Sequence, residues 1–240
     1  SSDISGRNFK RKDSLVEHLE DCHRMGIEVV PPHVNSSGSE FTVADDKIYF
    51  ALSAIKGCGG SAAEAIVRNR EKDGPYRDLF DFCERIEPSA CGKSAIESLV
   101  KSGSFDDLEA NRQQLSQIIE RALQAGSSAL SDRRSGQKNL FEQFSDSNEN
   151  EEVPLPRVPE FEERERLLME KEVLGFYLSS HPLAEHKDLL ANVCSHTTTR
   201  LPTLNDRTEV VVGGMISSVK LAHTKNGRPG SPTKYANFDL

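Results

Sequence analysis

The clearest chemistry in the chain lies in the stretch Leu52-Ser53-Ala54-Ile55-Lys56-Gly57-Cys58-Gly59-Gly60-Ser61-Ala62-Ala63-Glu64-Ala65-Ile66-Val67. Leu52 and Ile55 suit the apolar end of one short helix, and Ala62, Ala63, Ala65 and Ile66 suit the buried side of the next. Between them, Gly57, Gly59 and Gly60 predict a turn tight enough to need positive φ or very close backbone approach. Ser61 with Glu64 three residues on has capping-box spacing, which makes Ser61 the expected N-cap. The first-turn N–H groups of such a helix lack intrahelical acceptors and attract an anion, most often a phosphate. Lys56 adds a mobile positive charge beside that nest. The candidate phosphate-binding residues are therefore Lys56, Gly57, Gly59, Gly60 and Ser61. A plain glycine turn between two packed helices is the alternative these residues leave open.

A second candidate is Gln137-Lys138-Asn139-Leu140-Phe141, an apolar pair set in polar surroundings. Leu140 and Phe141 could fill an apolar pocket on a partner while Gln137 hydrogen-bonds at its rim. The alternative is that Phe141 and Phe144 tuck against their own protein. Other groups carry less. The five cysteines, Cys22, Cys58, Cys83, Cys91 and Cys194, form no C-x-x-C pair, so neither a zinc ribbon nor a redox motif is indicated. His18 and Cys22 lack a second ligand pair. Asp45-Asp46 and Asp106-Asp107 are adjacent residues facing different directions, not a metal-holding pair. His181 before Pro182 is expected to be structural. No catalytic or metal-ligating residue is assigned.

The elements that must position these groups follow from the rest of the chain. Its 240 residues are 36% hydrophobic and 28% charged, polar enough to suggest small units joined by linkers. No apolar run approaches a membrane span, and no secretory signal opens the sequence. An odd cysteine count without an export signal reads as reduced thiols in a cytoplasmic protein. Ser1 is an unusual natural start, so an excised segment of a longer protein is expected. The net charge is −8, from 38 acidic and 30 basic residues. That excludes a whole-chain basic footprint for nucleic acid and leaves only local contacts.

In order, Ser14 to Met25 reads as a helix ended by Gly26, and Ile27 to Val30 as a short strand stopped by Pro31-Pro32. Phe41-Thr42-Val43 and Ile48-Tyr49-Phe50 flank Ala44-Asp45-Asp46-Lys47 as a hairpin. Asp78 to Ile86 is a short helix with Leu79, Phe82, Cys83 and Ile86 on one side. Ser94 to Lys101 and Asn111 to Ala125 are two more. Lys93, Lys101 and Gly103 suggest a second, degenerate hairpin, with a helix C-cap on Gly103 and a core Phe105 as the alternative. From Gly126 to Gly136, and again from Ser145 to Glu152, composition predicts a disordered linker. Glu160 to Leu178 reads as a long helix with acidic first turns. Val210 to Val219 reads as a strand bent at Gly213-Gly214, and Lys225-Asn226-Gly227-Arg228 as a hairpin turn.

The glycine stretch resembles the helix-hairpin-helix motif, which grips the backbone of duplex DNA without reading bases. The resemblance extends further. Cys22-His23-Arg24-Met25-Gly26-Ile27-Glu28-Val29-Val30-Pro31-Pro32-His33-Val34-Asn35, then Ala54-Ile55-Lys56-Gly57-Cys58-Gly59, then Glu170 to Leu183 resemble, in order, phrases of the bacterial replicative DNA polymerases of family C. Cys58 stands where Val or Ile is usual, and Gly230-Ser231-Pro232-Thr233 resembles a small insertion that puts the register of Tyr235 in doubt. The resemblance implies a mostly α fold with small β elements. It would comprise the end of the fingers with a short hairpin (1–50), a tandem helix-hairpin-helix DNA-binding domain (51–125), a linker with a clamp-binding motif (126–159), a helical connector (160–204), and the truncated first strands of an OB-fold (205–240).

By the same resemblance Gln137, Leu140 and Phe141 would bind the sliding clamp, and a complete OB domain would bind single-stranded template. Other holoenzyme subunits would be partners, and a membrane would not. The catalytic carboxylates and their Mg2+ would belong to a palm domain outside this segment, so none is transferred to it. A stand-alone repair or scaffold module and an error-prone polymerase paralogue are the alternatives. The paralogue is expected to lack a good clamp pentapeptide.

Overall fold

Turn chemistry builds the first elements. In the computed structural model, which describes residues 15–19, 21–22, 24–108, 110–135, 154–216, 218–223 and 234–239, the predicted strand and hairpin form a three-stranded sheet. The strands are β1 (Glu28–Val30), β2 (Thr42–Ala44) and β3 (Lys47–Tyr49), in the order β1-β3-β2. β3 runs antiparallel to β2, with Val43 opposite Ile48, and parallel to β1, with Val29 opposite Ile48. Asp45 and Asp46 have φ of 51° and 59°, the two left-handed residues of a type I′ hairpin turn, and aspartate tolerates that region better than most side chains. Before β1 the helical residues 15–19 and 21–22 end ahead of Gly26 at φ 72°, where the Ile27 N–H reaches back to the Cys22 carbonyl at 2.8 Å.

The chain divides into two compact units, Ser1–Ser179 and Ser180–Leu240. The first is largely helical: a 3₁₀ turn at Leu52–Ala54, then α1 (Gly60–Asp73), α2 (Leu79–Arg85), α3 (Lys93–Lys101), α4 (Arg112–Ser135) and α5 (Glu163–Leu174). Their apolar stripes, with Ile66, Phe82 and Leu99, meet Val34, Phe50 and Phe105 of the connecting segments in one core, joined by Val173 and Leu174 of α5. α2 buries Leu79, Phe82 and Cys83 as its spacing predicts, and the Asp78 carboxylate accepts from the Asp81 N–H to cap it.

The Pro-Pro-His-Val-Asn phrase is locked to this core by hydrogen bonds. Asn35 pairs with both backbone groups of Tyr76 at 2.8 Å, and Arg70 donates to the carbonyls of Val34 and Ser37. The Tyr76 hydroxyl donates to the Ile66 carbonyl at 2.8 Å. Arg85 stacks 4.4 Å from the centre of the Tyr76 ring.

Two helix boundaries differ from the sequence expectation. α4 does not end at Ala125 but continues to Ser135. Gly126 is no linker residue; it is buried where an added Cβ would lie 2.2 Å from the Cys83 carbonyl oxygen. The glycine lets α4 and α2 approach backbone to backbone, so packing overrides its poor helix propensity. The helix expected from Glu160 to Leu178 is shorter, because Gly175 adopts φ 94° and ends it at Leu174.

In the second unit a 3₁₀ turn (Ala184–His186), α6 (Lys187–Val193) and a second 3₁₀ turn (Thr198–Thr203) precede β4 (Ser218–His223) and β5 (Lys234–Asp239). β4 and β5 are antiparallel, with Ala222 opposite Tyr235. The strand expected from Val210 begins only at Ser218. Val211 instead pairs with Ser195 through two bonds of 2.8 and 2.9 Å, and an added Cβ at Gly213 would lie 2.4 Å from Leu190. The His181 Nδ1 accepts from the Leu183 N–H at 3.1 Å.

Candidate nucleic-acid interface

The glycine stretch folds as two separable devices. In the first, the Cys58 N–H bonds the Ile55 carbonyl at 3.0 Å with Gly57 at φ 93°. That is a type II β-turn, whose third residue must have positive φ. Gly57 also approaches α3 closely: a Cβ there would sit 2.7 Å from Ser98 Oγ and 3.6 Å from the Ser94 carbonyl oxygen. On another side, the Lys56 N–H donates to the Val173 carbonyl of α5 at 2.8 Å. The Lys56 side chain is exposed.

The second device is the start of α1. Its N-cap is Gly59, which offers no side-chain bond, and not Ser61. Gly59 already has extended angles, φ −68° and ψ 165°, so the helix begins at Gly60 and Ser61 falls inside the first turn. No capping box with Glu64 forms. The first backbone bond of the helix is from the Ala63 N–H to the Gly59 carbonyl. The amides of Gly60, Ser61 and Ala62 precede it and have no acceptor within the helix. Gly59, Gly60 and Ser61 are exposed, and nothing lies within 4 Å of a Cβ built on Gly59 or Gly60. Of the three glycines, only Gly57 is required by the fold.

Cys58 is 1% exposed, so it fills the apolar position expected of it. Burial pushes its thiol up to about 11, and those of Cys83 and Cys91 up to about 12. All three are protonated at neutral pH and serve as small apolar groups.

Gly103 forms the C-capping turn of α3 that its position allowed. It has φ 79°, and its N–H and that of Ser104 bond the carbonyls of Val100 and Leu99, a Schellman C-cap on α3. Phe105 is fully buried. Lys101 pairs with Glu172 at 2.8 Å, and Lys93 pairs with Glu120.

Arg112, which the sequence reading overlooked, fills the space beside Gly103. Its guanidinium, 5% exposed, meets Asp106 at 2.6 Å and the buried Glu170 at 3.0 Å. Asp106 is thereby a structural counter-ion. No group of three or more His, Cys, Asp or Glu side chains fit to hold a metal occurs among the described residues. Gln137, Leu140 and Phe141 lie outside the described residues.

A glycine β-turn leading into an uncapped helix, packed with the neighbouring helices around a shared core, is the arrangement of a helix-hairpin-helix motif. The family model described as "Helix-hairpin-helix motif" matches residues 26–115. Over more of the chain, the DNA polymerase III subunit alpha of Deinococcus radiodurans is 35% identical across 223 residues, covering 90% of this chain and 17% of that protein. The same subunit of Haemophilus influenzae is 35% identical across 219 residues, covering 90% and 19%. That of Saccharopolyspora erythraea is 34% identical across 243 residues, covering 97% and 20%. The chain spans about a fifth of the length of these relatives. It belongs to the family of DNA polymerase III alpha subunits, matching one segment of them.

Proposed function

We propose that this chain acts as a duplex-holding segment of a replicative DNA polymerase alpha subunit. Lys56, Gly57, Gly59, Gly60 and Ser61 would hold the DNA backbone. The observation that carries this reading is that Gly59 and Gly60 sit in open space at an uncapped helix start. Neither glycine is needed by packing or backbone conformation there. A side chain at either position would stand between the unpaired amides and an approaching phosphate, which gives both glycines a reason in binding. The adjacent Lys56 side chain supplies counter-charge. Such a site takes hold of phosphates and carries no base code.

In the whole protein this segment would support template-directed nucleotidyl transfer in the cytoplasm. Catalytic carboxylates and Mg2+ would be supplied by another domain. Gln137, Leu140 and Phe141 would dock the sliding clamp, and β4 and β5 would open a domain that takes single-stranded template. Holoenzyme subunits would be further partners. The test is titration of the chain with two fluorescent duplexes of unrelated sequence at low salt. Equal affinities are expected. Binding to one sequence only, or to neither, would overturn the reading.

A further inference from the structure

The Lys56–Gly57 turn is gripped from two sides, by Ser94 and Ser98 of α3 and by the Val173 carbonyl of α5. α5 comes from far along the chain. Besides the apolar Leu167, Val173 and Leu174, it buries one carboxylate, Glu170, 3% exposed and one turn before Val173. One carboxylate oxygen of Glu170 accepts from Arg112 at 3.0 Å. The other accepts from the Ser179 hydroxyl at 2.8 Å and the Ser179 N–H at 3.3 Å. Arg112 in turn donates to Asp106 and to the Lys101 carbonyl, at the end of α3. Both sides of the grip are thus tied together through one guanidinium.

We propose that Glu170 is a positioning residue for the phosphate-binding hairpin, fixing the Lys56 amide and its turn through Val173 although it touches no ligand. This rests on the hairpin reading above. It makes the segment 163–179 a working part of the hairpin site, not only a connector to the second unit. A buried carboxylate with three donors has one low-energy placement. Replacing it by an amide weakens the ion pair and presents N–H groups to donors, so α5 loses its register while its apolar residues remain in the core.

The test is amide hydrogen exchange on the full 240-residue chain, wild type against Glu170→Gln and the milder Ser179→Ala. Exchange at the Lys56 amide should accelerate by about tenfold or more in Glu170→Gln, and less in Ser179→Ala. The amides of Ile66 and Leu99 should keep their protection. Affinity for a short duplex should fall roughly 2- to 30-fold in the same order. If Glu170→Gln unfolds every helix, Ser179→Ala decides the matter alone. Unchanged Lys56 exchange in a folded variant would overturn the proposal, as would faster exchange with unchanged duplex affinity. A wild type that binds no duplex would overturn the DNA reading instead, while the exchange data would still show whether Glu170 holds the turn.

Discussion

Gly57 and Gly59 are two residues apart and should respond to substitution in opposite ways. In Gly57→Ala the new Cβ enters a left-handed conformation at φ 93°, which costs about 1–2 kcal/mol. It also meets Ser98 Oγ at 2.7 Å. Ser98 is buried, so its hydroxyl must leave a favoured rotamer, costing about 0.5–1.5 kcal/mol. Together these predict a loss of roughly 1.5–3.5 kcal/mol, or about 3–14 °C in the melting of the first unit. In Gly59→Ala the backbone has φ −68° and the Cβ enters open space, so only the poorer N-cap preference of alanine is felt and the loss should be about 0.5–1 kcal/mol. Gly59→Leu should be equally stable but should bind duplex DNA more weakly, since its side chain covers the uncapped amides. Circular dichroism at the helix band during thermal unfolding, followed by duplex titration of the folded variants, measures both effects. If Gly57→Ala melts with the wild type, or Gly59→Leu binds DNA as well as the wild type, the division of labour between these glycines is wrong.

Gly126→Ala should destabilise the first unit by about 1–3 kcal/mol in chemical denaturation, because its Cβ would meet the Cys83 backbone at 2.2 Å and backbone cannot swing aside. Arg112→Ala should lose about 3–5 kcal/mol in the same assay, since it strands the buried carboxylate of Glu170. Burial pushes the His33 imidazole below 6.5, with Arg70 acting in the same direction and Asp107 and Asp106 opposing. The unfolded chain therefore takes up the proton first, so this contribution is complete above 6.5 and is lost as pH falls from there through the folded value. His33→Gln should flatten stability against pH in that window. Replacing both Leu140 and Phe141 by Ala should remove most of the affinity for the sliding clamp in a calorimetric titration, at a cost of about 3–6 kcal/mol of apolar burial, with melting unchanged.

Local structure was legible where one residue type answers a local demand. Asp45-Asp46 pointed to the hairpin turn, Gly26 and Gly103 to the helix ends, and Leu79, Phe82 and Cys83 to the buried face of α2. Ser61 misled because the capping-box pattern fits its spacing, while Gly59 takes the cap two positions earlier with no side chain at all. What stayed hidden depends on partners far apart in the chain. Nothing near Gly126 announces the Cys83 carbonyl, and nothing near Arg112 announces Glu170, 58 residues away. Arg112 reads in sequence as one more surface cation. Its burial follows only once Gly103 leaves room and α5 supplies a carboxylate. In the glycine stretch the turn and the helix that follows it were readable from type and spacing. Three-dimensional contacts revealed which glycine serves the fold and which face open space.

The most direct test of the central claim compares wild type with Lys56→Ala in duplex binding across a range of salt concentrations. A phosphate-holding hairpin predicts affinity that falls linearly with salt on logarithmic axes, alike for unrelated duplex sequences. Loss of Lys56 should reduce that slope by about 1 without altering sequence preference. Lys56→Ala with the wild-type slope and affinity would contradict the account.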